Sequence, residues 1–160
     1  MMKNRDQALV YLTVTTLVFI VIAMVGGGWP QASAVGNNDE VLKQAVKTYY
    51  ERMPEHIYKI PEAELKQLLD QGAPGLFLLD LRSPADYAAG HIKGAFNIPF
   101  QEVGQNLDKI PRDKTIIVYC YTGQTGGQTT ATLNLVGFKA RSLNGGMNNG
   151  WLKAGYPVVR

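Results

Sequence analysis

Cysteine and histidine are scarce in this sequence: Cys120 is the only thiol among 160 residues, and the two histidines, His56 and His91, stand far from it and from each other. One thiol closes no internal disulfide, and so few scattered ligands assemble no cysteine- or histidine-rich metal site. No metal and no other cofactor is therefore expected. Clustered positive charge is lacking too. Sixteen Lys and Arg against 13 Asp and Glu leave a net charge of +3, and no segment gathers a run of about five or six basic residues. Phosphate-backbone recognition has no footprint here, which excludes nucleic acid as an expected partner. Internal repeats and low-complexity tracts are absent. With 46% hydrophobic and 18% charged residues the chain is neither disordered nor collagen-like. Its length leaves room for one domain of roughly 100 to 150 residues plus an appendage.

The appendage is at the amino end. Lys3 and Arg5 precede an uncharged stretch of 18 residues, Ala8 to Val25, followed by Gly26-Gly27-Gly28-Trp29-Pro30 and the small-residue triplet Ala32-Ser33-Ala34. Basic end, apolar middle, helix breakers and small-x-small site make up the order of a secretory signal cleaved after Ala34. The apolar stretch also falls within the roughly 17 to 25 residues that span a bilayer, so a retained N-terminal anchor is the open alternative. Either way residues 35–160 are expected outside the cytoplasm, in a periplasm or at the outer face of the membrane, because the basic flank stays inside.

Beyond a short linker, Val35 to Asn38, Asp39 can cap a helix running to Met53 and stopped by Pro54. A strand is expected over His56 to Ile60. Pro61 then opens a helix whose Leu65, Leu68 and Leu69 form one stripe, and Gly72 closes it. Leu76 to Leu81 and Thr115 to Tyr119 are nearly unbroken apolar runs, the pattern of strands covered on both faces in a parallel sheet. Between them lie a helix start at Ser83-Pro84, a short strand at Phe96 to Pro99 and a polar helix near Gln101 to Lys109. After Cys120 come a polar turn of five to six residues and a helix in which Leu133 and Val136 face the sheet and Gly137 ends the element. A strand at Ala140 to Leu143 and a helical turn around Trp151 complete an α/β sandwich with a mostly parallel sheet.

Chemistry is concentrated at Cys120. Strand carboxyl ends are where open α/β sheets bind ligands, and a helix amino terminus adds unpaired N–H groups. Gly123, Gly126 and Gly127 let successive N–H groups converge on the sulfur, and Thr122 and Thr125 can add hydroxyl donors. Such a nest lowers a thiol pKa and favours the reactive thiolate. A structural cysteine ending a buried strand is the plain alternative.

Several segments taken in order resemble the landmarks of the rhodanese domain family. They are Leu79-Asp80-Leu81-Arg82, Asp86-Tyr87, Gly90-His91-Ile92-Lys93-Gly94-Ala95, Asn97-Ile98-Pro99, the cysteine turn, Gly137-Phe138 and Leu143-Asn144-Gly145-Gly146 through Gly150-Trp151. The likeness runs roughly from His56 to Val158. It implies at 55–160 a three-layer α/β/α rhodanese-like domain, which follows the signal or anchor at 1–34 and a linker and extra helix at 35–54 that lie outside the likeness. It also implies sulfurtransferase chemistry, in which Cys120 takes a sulfane sulfur from a donor, becomes a persulfide and passes the sulfur to a nucleophilic acceptor. The partners so implied are a small sulfur donor and a thiol acceptor, a protein among the candidates, with the membrane added if the leader is retained.

In one respect the sequence departs from that family. Tyr121 and Thr125 stand where active members often carry an arginine after the cysteine and a basic residue or threonine near the loop's end. Thiosulfate, a dianion, would then be held by backbone N–H groups and the hydroxyls of Thr122 and Thr125. A charge-assisted contact contributes about 1.5–3 kcal/mol, so weak thiosulfate activity and a less charged donor, a persulfide or polysulfide, are expected. Gly126 and Gly127 stand where the related phosphatases need a phosphate-clamping arginine, which argues against that activity. Tyr121 and Gln124 are candidates for donor selectivity. Asp80 is expected to brace the cysteine turn, Arg82 and Asp86 to form an ion pair in the scaffold, His91 to shape a turn rather than act as a base, and Met147, Trp151 and Tyr156 to pack over the core. The competing function is a non-enzymatic rhodanese-like module, in which Cys120 binds a partner or senses redox state outside the cytoplasm.

Overall fold

A computed structural model describes residues 39–160. The expected signal or anchor at 1–34 and the linker at 35–38 lie outside the described residues. The chain divides into two compact units between Leu42 and Lys43. Of the first, only Asp39 to Leu42 are described, and they begin helix α1 (Asp39–Glu51). Among the described residues no helix is long and apolar enough to cross a membrane.

The second unit is built on five strands: β1 (Lys59–Ile60), β2 (Leu76–Asp80), β3 (Ala95–Asn97), β4 (Thr115–Tyr119) and β5 (Lys139–Leu143). They lie in the order β1-β5-β4-β2-β3, and every neighbouring pair is parallel. Parallel strands need crossovers that cover both faces, which explains the unbroken apolar runs of β2 and β4. On one face Leu79, Ile116, Val118 and Ala140 pack against Leu133 of helix α4 (Gln124–Leu135) and Val103 of a 3-10 helical segment (Phe100–Lys109). On the other, Leu78, Ile117, Tyr119 and Leu143 pack against Leu65 of helix α2 (Glu62–Asp70) and against Met147 and Trp151 of a π-helical segment (Gly146–Leu152). Helix α3 (Pro84–Ala89) adds Tyr87 to that second layer. The arrangement is the expected α/β/α sandwich. Each fully buried Ile or Leu in it contributes about 1.5–3 kcal/mol.

Chain direction positions the site. From β2 the chain moves outward to β3, while from β4 it moves the other way to β5, so the connections leaving these two adjacent strands diverge. A crevice is left beyond their carboxyl ends, and Cys120 follows β4 directly into it.

Three expectations need correction. The strand expected over His56 to Ile60 is only Lys59–Ile60, because Ile57 and Tyr58 have left-handed φ of 44° and 55° in a turn closed by Lys59 N–H to the His56 carbonyl at 2.8 Å. Val136 does not face the sheet: helix α4 ends at Leu135, and Val136 leaves the helical path at the cap and is 51% exposed. The polar segment after Phe100 is 3-10 rather than α-helical and kinks at Asn106.

Candidate active site

The sequence predicts a turn of five to six residues after Cys120; in the structure only Tyr121, Thr122 and Gly123 separate it from α4. Gly123 takes a left-handed φ of 96°, which reverses the chain tightly enough for the helix to begin at Gln124. Gln124, Thr125 and Gly126 thus form the first helical turn, where N–H groups have no intrahelical acceptor. Two of the loop's N–H groups point at sulfur. Cys120 Sγ accepts from Gly123 N–H at 3.2 Å and from Gly126 N–H at 3.4 Å. Gly126 is tightly placed, since a Cβ there would lie 3.0 Å from Ser142 Oγ.

Cys120 is only 3% exposed, and burial by itself pushes its thiol pKa up. The hydroxyl of Thr125 and the N–H groups of Gly126, Thr122 and Gly123 more than offset that, and the net direction is down, toward thiolate. A thiolate held this way is a nucleophile with no need of a neighbouring base.

A second turn, not identified from sequence as part of the site, holds the loop from behind. Met147 N–H donates to the Cys120 carbonyl and Asn148 N–H to the Tyr121 carbonyl, both at 2.8 Å. With those carbonyls fixed outward, the following N–H groups are turned toward Sγ. Such close approach requires Gly146, at φ 60°, because a Cβ there would meet the Cys120 carbonyl oxygen at 2.6 Å and Gly123 nitrogen at 2.7 Å. The available signal was the tandem Gly145-Gly146 after a buried strand.

The supporting residues are arranged differently from expectation. Asp80, fully buried, does not bond the cysteine turn. Its carboxylate accepts from Arg82 N–H at 2.9 Å, Nε at 3.0 Å and Nη2 at 2.6 Å, because the chain bends just past β2 and brings a side chain two residues on back to it. Arg82 accordingly pairs with Asp80 rather than with Asp86, and its Nη2 also donates to the Gly90 carbonyl at 2.8 Å. Burial works against the guanidinium charge, but the Asp80 pair prevails and raises the Arg82 pKa. Asp86 instead belongs to the start of α3. It accepts from the Ser83 hydroxyl and, at 2.6 Å, from the Tyr121 hydroxyl, and these two bonds lower its pKa. Tyr121 thereby ties the cysteine loop to α3, with its hydroxyl also accepting Ser83 N–H at 3.3 Å. Thr122 is exposed on the loop and Gln124 at the first residue of α4. His91 lies apart, its ring stacked on Tyr87 and its Nδ1 2.9 Å from the Tyr87 carbonyl. Trp151 is buried, with Tyr156 edge-on at 5.0 Å. Among the described residues no group of three His, Cys, Asp or Glu side chains could hold a metal ion.

A family model for the rhodanese-like domain matches residues 62–154, more than half of the chain. The chain is 32% identical over 85 residues to a sulfurtransferase of Allochromatium vinosum, covering 52% of this chain and 78% of that protein. It is 37% identical over 91 residues to the probable adenylyltransferase/sulfurtransferase MoeZ of Mycobacterium tuberculosis, covering 55% of this chain but only 23% of that much longer protein. A solved structure of a rhodanese-related protein from Thermoplasma volcanium superposes with a TM-score of 0.58 at 29% identity, over 63% of this chain and 96% of that one.

Proposed function

The chain belongs to the rhodanese-like domain family, and from that premise we propose that it is a sulfurtransferase that carries sulfane sulfur on Cys120 as a persulfide. The observation that carries this reading is the convergence of the Gly123 and Gly126 N–H groups, with the Thr125 hydroxyl, on Cys120 Sγ. A thiolate so stabilised attacks the outer sulfur of a donor: a bond forms from Sγ to that sulfur, and the donor leaves with the electron pair of its broken bond. The persulfide then carries its terminal negative charge into the same array of donors. An acceptor thiolate attacks the terminal sulfur, and Cys120 departs as thiolate, so neither half-reaction needs an external oxidant or reductant.

The donor in this reading is a persulfide or polysulfide in preference to thiosulfate. Tyr121 brings no charge to the loop and spends its hydroxyl on Asp86, which leaves a dianion with backbone and hydroxyl contacts only. The same proposal has residues 35–160 working outside the cytoplasm, behind a leader cleaved after Ala34 or held by Ala8 to Val25, and it is supported by the order of basic, apolar and small residues there. Intact-mass spectrometry tests the chemistry. Exposure to glutathione persulfide adds about 32 Da, one sulfur atom, to the protein and nothing to Cys120→Ser, with thiosulfate adding it more slowly. No mass gain from either donor contradicts the proposal. Mass analysis of the protein recovered from cells decides whether residues 1–34 are retained.

A further inference from the structure

Beside the cysteine loop lies a cleft of about 190 Å3, lined by Thr122 and Gly123 of the loop, by Ser142, Asn144 and Gly145 at the end of β5, and by Lys59 of the edge strand β1. Lys59 pairs with Ser142, and Ile60 with Leu143, in parallel register. Partners in register share a face, and Ile60 and Leu143 are buried in the layer that contains Trp151. Lys59 and Ser142 therefore project from the opposite face, the one covered by α4, and Ser142 backs onto Gly126 of the loop. Ser142 is only 5% exposed, and its backbone N–H donates to the Tyr58 carbonyl at 2.7 Å. Lys59 makes no ion pair among the described residues, and Arg141, which accompanies it at the β1 edge, pairs with Glu64 at 2.7 Å. No carboxylate lines the cleft. A lysine and a serine on one face of the β1–β5 pair, beside the loop residues Thr122 and Gly123 and with no carboxylate on the cleft wall, suit an anion that accepts several hydrogen bonds.

Size and position narrow the ligand. The cleft exceeds the roughly 30 Å3 share of one water by enough to take a group of several heavy atoms. Lys59 stands two strands from β4, at about 4.8 Å per strand, so an anion bound there is several bonds away from a sulfur reacting at Cys120. In thiosulfate the charged oxygens sit on the atom next to the sulfane sulfur, which is too near. A thiol whose carboxylate is separated from sulfur by a few carbons has the reach.

Resting on the sulfur-transfer reading above, we propose that the Lys59–Ser142 cleft is a subsite for the carboxylate of a small organic thiol, met either as the acceptor or, in its persulfide form, as the donor. In discharge the thiolate of such a molecule attacks the terminal sulfur of the Cys120 persulfide, an S–S bond forms to it, and the bond to Sγ breaks with its electron pair returning to Cys120. Loading is the same exchange in reverse.

The test uses the full chain, loaded with the carboxylate-free persulfide of 2-mercaptoethanol and freed of excess donor. Discharge is then timed with 3-mercaptopropionate and with 2-mercaptoethanol, rates being corrected for thiolate fraction. A second arm times loading by the persulfides of the same two thiols. The wild type favours the carboxylate-bearing partner by about tenfold. Lys59→Gln brings that ratio close to one with the 2-mercaptoethanol rate unchanged, and Lys59→Arg restores it. A preference confined to discharge assigns the cleft to the acceptor, and one confined to loading assigns it to the donor. Equal ratios in wild type and Lys59→Gln in both arms overturn the subsite while sulfur transfer stands. A wild type that gains no sulfur from either persulfide removes the transfer reading and the subsite with it.

Discussion

Replacing Gly146 by alanine should disable the cysteine loop without replacing any residue that contacts the sulfur. The new Cβ would lie 2.6 Å from the Cys120 carbonyl oxygen, 2.7 Å from Gly123 nitrogen and 3.0 Å from Thr122 nitrogen, all backbone atoms of the loop. Ordinary contact begins near 3.4 Å, so the loop or the Gly145-Gly146 turn must retreat by roughly 0.8 Å, the kind of shift that overpacking imposes. The Gly123 and Gly126 bonds to Sγ are already 3.2 and 3.4 Å long, and such a shift breaks at least one. Two costs combine: about 1–2 kcal/mol for a side chain at a left-handed φ and about 1–3 kcal/mol for overpacking. Urea unfolding should therefore report a loss of about 2–5 kcal/mol. Losing one N–H bond to an anion should also slow iodoacetamide alkylation of Cys120 by about tenfold at pH values where the wild-type thiol is partly ionised. Gly94→Ala is the control, because Gly94 also has positive φ, 83°, but open space around its Cβ direction. It should lose about 1–2 kcal/mol and leave alkylation unchanged. A Gly146→Ala protein that alkylates at the wild-type rate with the wild-type pH profile would refute the reasoning.

Thr125→Val removes the hydroxyl bond that offsets burial of the thiol, so the acid limb of the alkylation and sulfur-loading profiles should move to higher pH. The sign for stability follows: a lowered folded pKa stabilises the fold above the unfolded thiol pKa of about 8.5 and loses that contribution as pH falls through the folded value, so Thr125→Val should cost more at about pH 9.5 than at about pH 6 in paired urea titrations. Arg82→Met leaves the Asp80 carboxylate buried and unpaired, and thermal or urea unfolding should show a loss of about 3–5 kcal/mol, partly recovered when Asp80→Asn is added. Tyr121→Phe should raise the Asp86 carboxyl titration followed by NMR, because the Ser83 bond remains while the Tyr121 bond is lost.

The layered architecture and the cysteine turn were legible in the sequence because they rest on local, repeated signals. Unbroken apolar runs at β2 and β4 imply coverage from both sides, and a glycine-rich segment after a buried strand implies a nest. The gaps arise where long-range geometry overrides local pattern. Asp80 and Arg82 find each other because the chain bends just past β2, which no spacing rule distinguishes from a reach toward Asp86. Val136 fits the helical period of Leu133 but lies just past the end of α4. Lys59 and Ser142, far apart in sequence, become neighbours only through the β1–β5 register. The short turn after Cys120 depends on the left-handed φ of Gly123 and on the Gly146 turn behind it, and neither is visible in a window around the cysteine.

The most direct test of the account is a count of sulfur atoms passed per cysteine. Purified full-length protein is given excess glutathione persulfide and a thiol acceptor, and the persulfide formed on the acceptor is counted beyond the uncatalysed exchange and the Cys120→Ser blank. The account predicts many sulfur atoms per protein and ping-pong dependence on the two substrates. A count that stops at one, or a Cys120 that oxidises once and passes nothing on, would contradict it and leave a rhodanese-like fold whose thiol binds or senses rather than transfers.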